Sequence, residues 1–171
     1  KAEAARASEL AAGVEMTITE IEQNLGMSTN PDDLLNAKQA TMELSQLPAV
    51  KAVMTPQEHN NYFSKALARQ ESNFLASLAE NADKRLLNVR SAREAEAIGI
   101  EIKTEFARAV EGKDAQGNQV TEPLFPNVPV KEKLTRLDSV VRTVDATVKF
   151  KQQEEETRIA KARAAYKEQQ S

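Results

Sequence analysis

Large apolar side chains recur along this chain at spacings of three and four, with Glu, Gln, Lys and Asn between them, the pattern of amphipathic helices. Leu10, Val14, Ile18, Ile21 and Leu25 form the first such stripe, so the spacing predicts a helix over residues 2–25, closed by Gly26. Its first nine residues are Ala-rich and charged without a large apolar side chain, and are expected to extend beyond the core or fray. Ser28-Thr29-Asn30-Pro31-Asp32-Asp33 then offers cap residues, a Pro and two acids suited to a helix N-terminus. A second helix is expected from Pro31 to Gln46, with Leu34, Leu35, Met42 and Leu44 apolar, stopping before Pro48. Ala49 to Met54 reads as a short apolar bridge.

Thr55-Pro56-Gln57-Glu58 is the clearest local signal: a Thr N-cap, Pro at the first helical position and Glu three residues after the cap. Phe63, Leu67, Phe74, Leu78, Leu86 and Val89 continue as an apolar stripe, followed by Ile98, Ile102, Phe106 and Ala109, and Gly112 ends it. Ser91-Ala92-Arg93-Glu94 resembles a second capping box, so residues 56–110 read either as one helix of about 80 Å or as two. Residues 113–130 carry three Pro and a Gly117-Asn118 pair with no helical period, and are expected to be a long loop with a small hairpin. From Val130 to Glu168 a final helix is predicted, with Leu134, Leu137, Val141, Val144 and Val148 as a heptad seam that turns polar at Lys151 and Glu155.

These elements predict an all-α fold, an antiparallel helical bundle of four to five helices with long terminal members and one Pro/Gly-containing loop. The 171 residues are read as one bundle domain, with 1–9 and 151–171 extending beyond the core. An aromatic content of 4% makes Leu, Ile, Val, Ala and Met the core formers, which suits helix packing better than a sheet.

Charge narrows the function classes. A net charge of −3, with residues 131–171 carrying ten Lys/Arg interleaved with seven Asp/Glu, lacks the concentrated basic face that nucleic acid requires. No apolar run is long enough to span a bilayer, so a membrane role would need a segment outside this chain. With no Cys, neither disulfides nor thiol nucleophiles are available.

Candidate chemistry is sparse. His59 is the single imidazole, and the positions three and four residues away hold Thr55, Pro56, Tyr62 and Phe63, so no helical metal pair forms. No Gly-x-Ser-x-Gly elbow accompanies any serine, and the five Gly are isolated, which leaves no phosphate loop. Glu101 and Glu105 are one turn apart, but no Glu-x-x-His motif joins them, and solvated surface glutamates are the simpler reading. The chain is therefore expected to have no catalytic activity, no cofactor and no metal. Leu124, Phe125 and Val128 in the loop are the candidate partner contacts, with folding back onto the bundle as the plainer alternative. Gln70, Asn73 and Arg93 would suit a polar ligand if they faced inward.

What remains is a non-enzymatic helical module. Because the chain begins at Lys1 and lacks Cys, an extracytoplasmic interaction or sensing domain is expected, as a processed lipoprotein, secreted protein or receptor ectodomain. A cytoplasmic or phage-type self-assembling coiled-coil protein is the alternative, with a protein partner or self-association implied by both.

Overall fold

The structure is a computed structural model that describes residues 2–113, 116–119 and 124–170. Lys1, Ser171 and the parts of the 113–130 loop at 114–115 and 120–123 lie outside the described residues. The fold is all-α, a packed set of helices with no strand among the described residues. The order is α1 (Ala2–Leu25), α2 (Pro31–Ser45), α3 (Pro48–Val53), α4 (Pro56–Leu87), α5 (Ala92–Glu111) and α6 (Val130–Gln170).

Among the described residues six helices stand where four or five were expected, for two local reasons. Pro48 sits at the first position of a turn whose N-cap is Leu47, so the apolar bridge becomes the short α3. The stripe over 56–110 is broken at residues 88–91, because Ser91 leaves helical geometry and its Oγ accepts from the Glu94 backbone N–H at 3.1 Å. Glu94 returns the contact, its carboxylate accepting from the Arg90 N–H at 3.0 Å. The Thr55 cap is present as well, its Oγ1 accepting from the Glu58 N–H at 3.2 Å. Gly112 closes α5 in the left-handed region with φ 69°, donating to the Arg108 carbonyl at 2.7 Å, and an antiparallel bridge then pairs Lys113 with Gln119.

The chain packs into two compact units. The first comprises Lys1–Leu78 and Pro123–Lys133, the second Ala79–Glu122 and Leu134–Ser171. In the first, α1, α2 and α3 pack on one another and on the opening turns of α4. Its core is Val14, Ile18, Leu25, Leu34, Val50, Phe63, Phe74 and Leu75, completed by Phe125 and Val128 from the last part of the 113–130 loop. Leu10 of the predicted α1 stripe is 58% exposed, one turn beyond where Val14 meets Val50 and Phe63. On α2 the buried face is Leu34, Ala37, Thr41 and Ser45, while Leu35 and Met42 point to solvent.

In the second unit, Ala82, Leu86 and Val89 join Ala92, Ala95, Ile102, Phe106 and Val110 of α5 with Val140 and Val144 of α6. α5 and α6 run antiparallel: Gly99 meets Val144, and farther along α6 the Ala92 N–H meets Glu155. α6 keeps the expected seam at Val144, with Leu137 and Val148 half-buried, but departs from it by one residue at 140–141 and at Leu134. Val140 and Val144 are enclosed, Val141 is half-buried and Leu134 is 52% exposed.

Candidate functional site

Three places in the structure have the polar groups, the concavity or the exposed apolar surface from which a function is built. The first is a polar knot in the first unit. Glu71, on the inner face of α4, has no exposed surface, although a charged carboxylate is costly to bury unless paired and hydrogen-bonded. It is both. Its Oε1 accepts from the Asn127 backbone N–H at 2.8 Å, and its Oε2 accepts from the Asn127 side-chain amide while Lys38 Nζ stands 3.4 Å away. With both oxygens occupied and no solvent access, Glu71 is placed to tie residue 127 to α4 and α2, and no substrate atom has a route to it.

Next along α4, Gln70 is equally buried and donates through Nε2 to Thr41 Oγ1 at 2.6 Å, while its Oε1 has no partner among the described residues. Asn73 turns elsewhere, to the Glu22 carbonyl at 3.4 Å, and Arg93 is an exposed residue of α5. The ligand trio considered from sequence is thus not a shared cluster within the first unit, where Gln70 and Asn73 have separate partners. His59 is half-buried: its Nε2 lies 2.7 Å from the Ser45 carbonyl and its ring lies 4.8 Å from that of Phe63, tilted by 47°. It ties α4 to the C-terminal end of α2 and is held as a packing and hydrogen-bonding group.

The second place is a cleft of about 270 Å³ between α1, α3 and α4. Val14, Val50 and Phe63 form its buried floor, with Tyr62, Met54 and Glu15 around them. Burial raises the Tyr62 phenol above its ordinary value, and the negative charges of Glu15 and Glu22 act in the same direction against the opposing Arg69. The volume falls short of the ~300–1,000 Å³ typical of ligand pockets, and the floor is continuous with the core.

Leu124, Phe125 and Val128 are placed by folding back. Phe125 has no exposed surface and its ring lies 6.2 Å from that of Phe74, Val128 is 4% exposed, and Leu124 is half-buried. As candidate partner contacts, Phe125 and Val128 are covered by their own chain, because an aromatic side chain in a polar loop lowers its free energy most by entering the nearest core. Glu101 and Glu105 also have a partner that sequence reasoning missed. Arg85, near the end of α4, reaches both in a fork, Nη2 to Glu101 at 2.9 Å and Nη1 to Glu105 at 2.8 Å. The pairing was detectable only by spacing across the 88–91 turn.

The chain matches no protein-family model, no curated protein and no solved structure.

The third place is the end of α6. Val144, Val148, Lys151 and Glu155 lie on one face at helical spacing, and this face is covered as far as Glu155, whose carboxylate accepts from the Ala92 N–H at 3.0 Å. At 100° per residue the same face continues through Ile159, Ala162 and Tyr166. Every residue from Glu156 to Gln170 is exposed, with Ile159 at 52% and Tyr166 at 63%. These 15 residues make a helix of about 22 Å. No group of three or more His, Cys, Asp or Glu suited to a metal ion occurs among the described residues, and no described helix is long and apolar enough to cross a membrane.

Proposed function

We propose that this chain is a non-enzymatic helical interaction module whose contacting element is the exposed C-terminal part of α6. The observation that carries the reading is the continuation of one packed helix face past its partner. The face that meets α5 up to Glu155 goes on to Ile159, Ala162 and Tyr166, where nothing among the described residues covers it. An isolated helix of about 15 residues is marginal in water, so a tail of this length is favoured when its apolar face meets another helix. The groups with catalytic potential support the same reading, because each is already engaged: Glu71 by Asn127 and Lys38, Glu101 and Glu105 by Arg85, His59 by the Ser45 carbonyl. The module reading covers both the sensing ectodomain and the self-assembling protein, which differ in the partner that the tail meets.

The test separates an interaction element from a folding element. Thermal unfolding of the full chain and of a chain ended after Glu155, both at low micromolar concentration, is expected to give midpoints within about 3 °C, equivalent to ~1 kcal/mol for a chain of this size. A fall of about 10 °C or more on truncation overturns the proposal, since the tail would then be part of what holds the fold together.

A further inference from the structure

The order of charges along the exposed tail specifies what covers its apolar face. Glu154, Glu155 and Glu156 come first, and Arg158, Lys161, Arg163 and Lys167 follow. Numbering the exposed face as a heptad places Ile159 and Tyr166 at a positions and Glu155 and Ala162 at d positions, so that Glu156 and Arg163 both fall at e, on the same flank of the seam. Glu156 and Arg163 are exposed and form no ion pair with the described residues. From this we infer that the tail pairs with the tail of a second copy of this chain, antiparallel, about a two-fold axis near residues 160–161.

In that arrangement Ile159 packs on Ala162 of the second copy, and Glu156 stands beside Arg163 of the second copy, with the reciprocal pair generated by the two-fold. A parallel pair would instead set the g-position Arg158 against the e-position Arg163 of the second copy, a like-charge contact. Charge order therefore selects the antiparallel hand. The packed α5–α6 seam sets the limit of the overlap. α5 begins at Ala92, opposite Glu155, so the second copy occupies residues 155–166 and continues a face that α5 leaves there. Twelve residues with two large apolar side chains make a short seam, and the association is correspondingly weak, with dissociation in the micromolar range or above.

This inference rests on the interaction-module reading, and its test fails separately from that reading. The full chain, its Glu156→Arg and Arg163→Glu variants and the double variant are compared by light scattering from low micromolar to several hundred micromolar concentration. Circular dichroism confirms that the helix content of each variant is retained. The expected result is a parent chain whose mass rises toward a dimer, single variants whose association is at least tenfold weaker, and a double variant that recovers to within about threefold. A parent that stays monomeric throughout, or single variants that associate as well as the parent, overturns the inference. A monomer whose melting is indifferent to loss of the tail would leave the interaction module with a different protein as its partner. A monomer that unfolds without its tail would remove both.

Discussion

Gly99 of α5 faces Val144 of α6 so closely that a β-carbon at position 99 would collide with the Val144 Cγ1. The two helix backbones approach at this point because one of them has no side chain there, and Val144 fills the space. Valine in a helix is held to essentially one rotamer, so it cannot swing clear of an added methyl group. Gly99→Ala is therefore expected to destabilise the fold by about 1–3 kcal/mol through overpacking, after a helix-propensity gain of ~1 kcal/mol has offset part of the clash. Thermal unfolding is the measurement, with the midpoint falling by roughly 3–10 °C. Combined with Val144→Ala, the loss should be smaller than the sum of the two single losses by about 1 kcal/mol, because each change relieves the other.

The Glu71–Asn127 contact gives a second prediction. Asn127 supplies both a backbone and a side-chain donor to a carboxylate with no access to water. Asn127→Ala removes the side-chain donor and should cost about 1–3 kcal/mol, whereas Glu71→Ala leaves Lys38 without its buried counter-charge and should cost about 3–5 kcal/mol. In a denaturant-melt double-mutant cycle the two changes should couple by about 1 kcal/mol or more. Simple additivity would mean that the knot does not hold the segment.

Tyr62 provides the pH dependence. Its phenol is raised above its ordinary value of 10.0, chiefly by burial and then by Glu15. A tyrosine that ionises later in the folded state than in the unfolded chain keeps its stabilising contribution below about pH 10 and loses it as the pH climbs through the folded value. Phenolate absorbance in a Tyr166→Phe background should therefore show Tyr62 ionising above 10, with stability decreasing over the same alkaline range. Glu15→Gln should move that ionisation back toward 10, while leaving a residual rise due to burial.

The register of α6 is the subject of the fourth prediction. Val140 is 3% exposed and Leu134 is 52% exposed. Val140→Ala should cost about 2 kcal/mol, and Leu134→Ala less than about 0.5 kcal/mol, although leucine is the larger side chain. The reverse order by thermal melts would restore the heptad seam that begins at Leu134.

The helices were legible where a local signal fixed them. Thr55-Pro56 and Gly112 each marked a helix end by chemistry confined to a few residues, and both ends fall where those residues stand. Ser91 carried an equally good cap signal, but sequence left open whether it stood inside a helix, because a capping box and an interior Ser-x-x-Glu read alike. The buried face of α2 was legible only in part. Thr41 and Ser45 face the core because their hydroxyls are satisfied by the Ala37 and Met42 carbonyls of their own helix, so small polar residues occupy positions that apolar spacing alone assigns to Leu35 and Met42. Glu71 was missed for a similar reason. A glutamate is buried only when distant donors converge on it, and Asn127 is 56 residues away in sequence. Of the exposed face of α6, the weakness of its apolar residues was visible, but not that it prolongs a packed face, which requires knowing that α5 starts opposite Glu155.

The meeting of Glu155 with the first N–H of α5 also divides α6 into two stretches of different susceptibility to proteolysis. Arg158, Lys161, Arg163 and Lys167 all lie on the exposed side of that division, where the helix opens by fraying from its end and not by unfolding a core. Brief treatment with trypsin should thus trim the C-terminal end of α6 back to Arg158 and pause there. Because a helix engaged by another cannot fray freely, the rate of this trimming becomes a direct gauge of how often the tail is occupied.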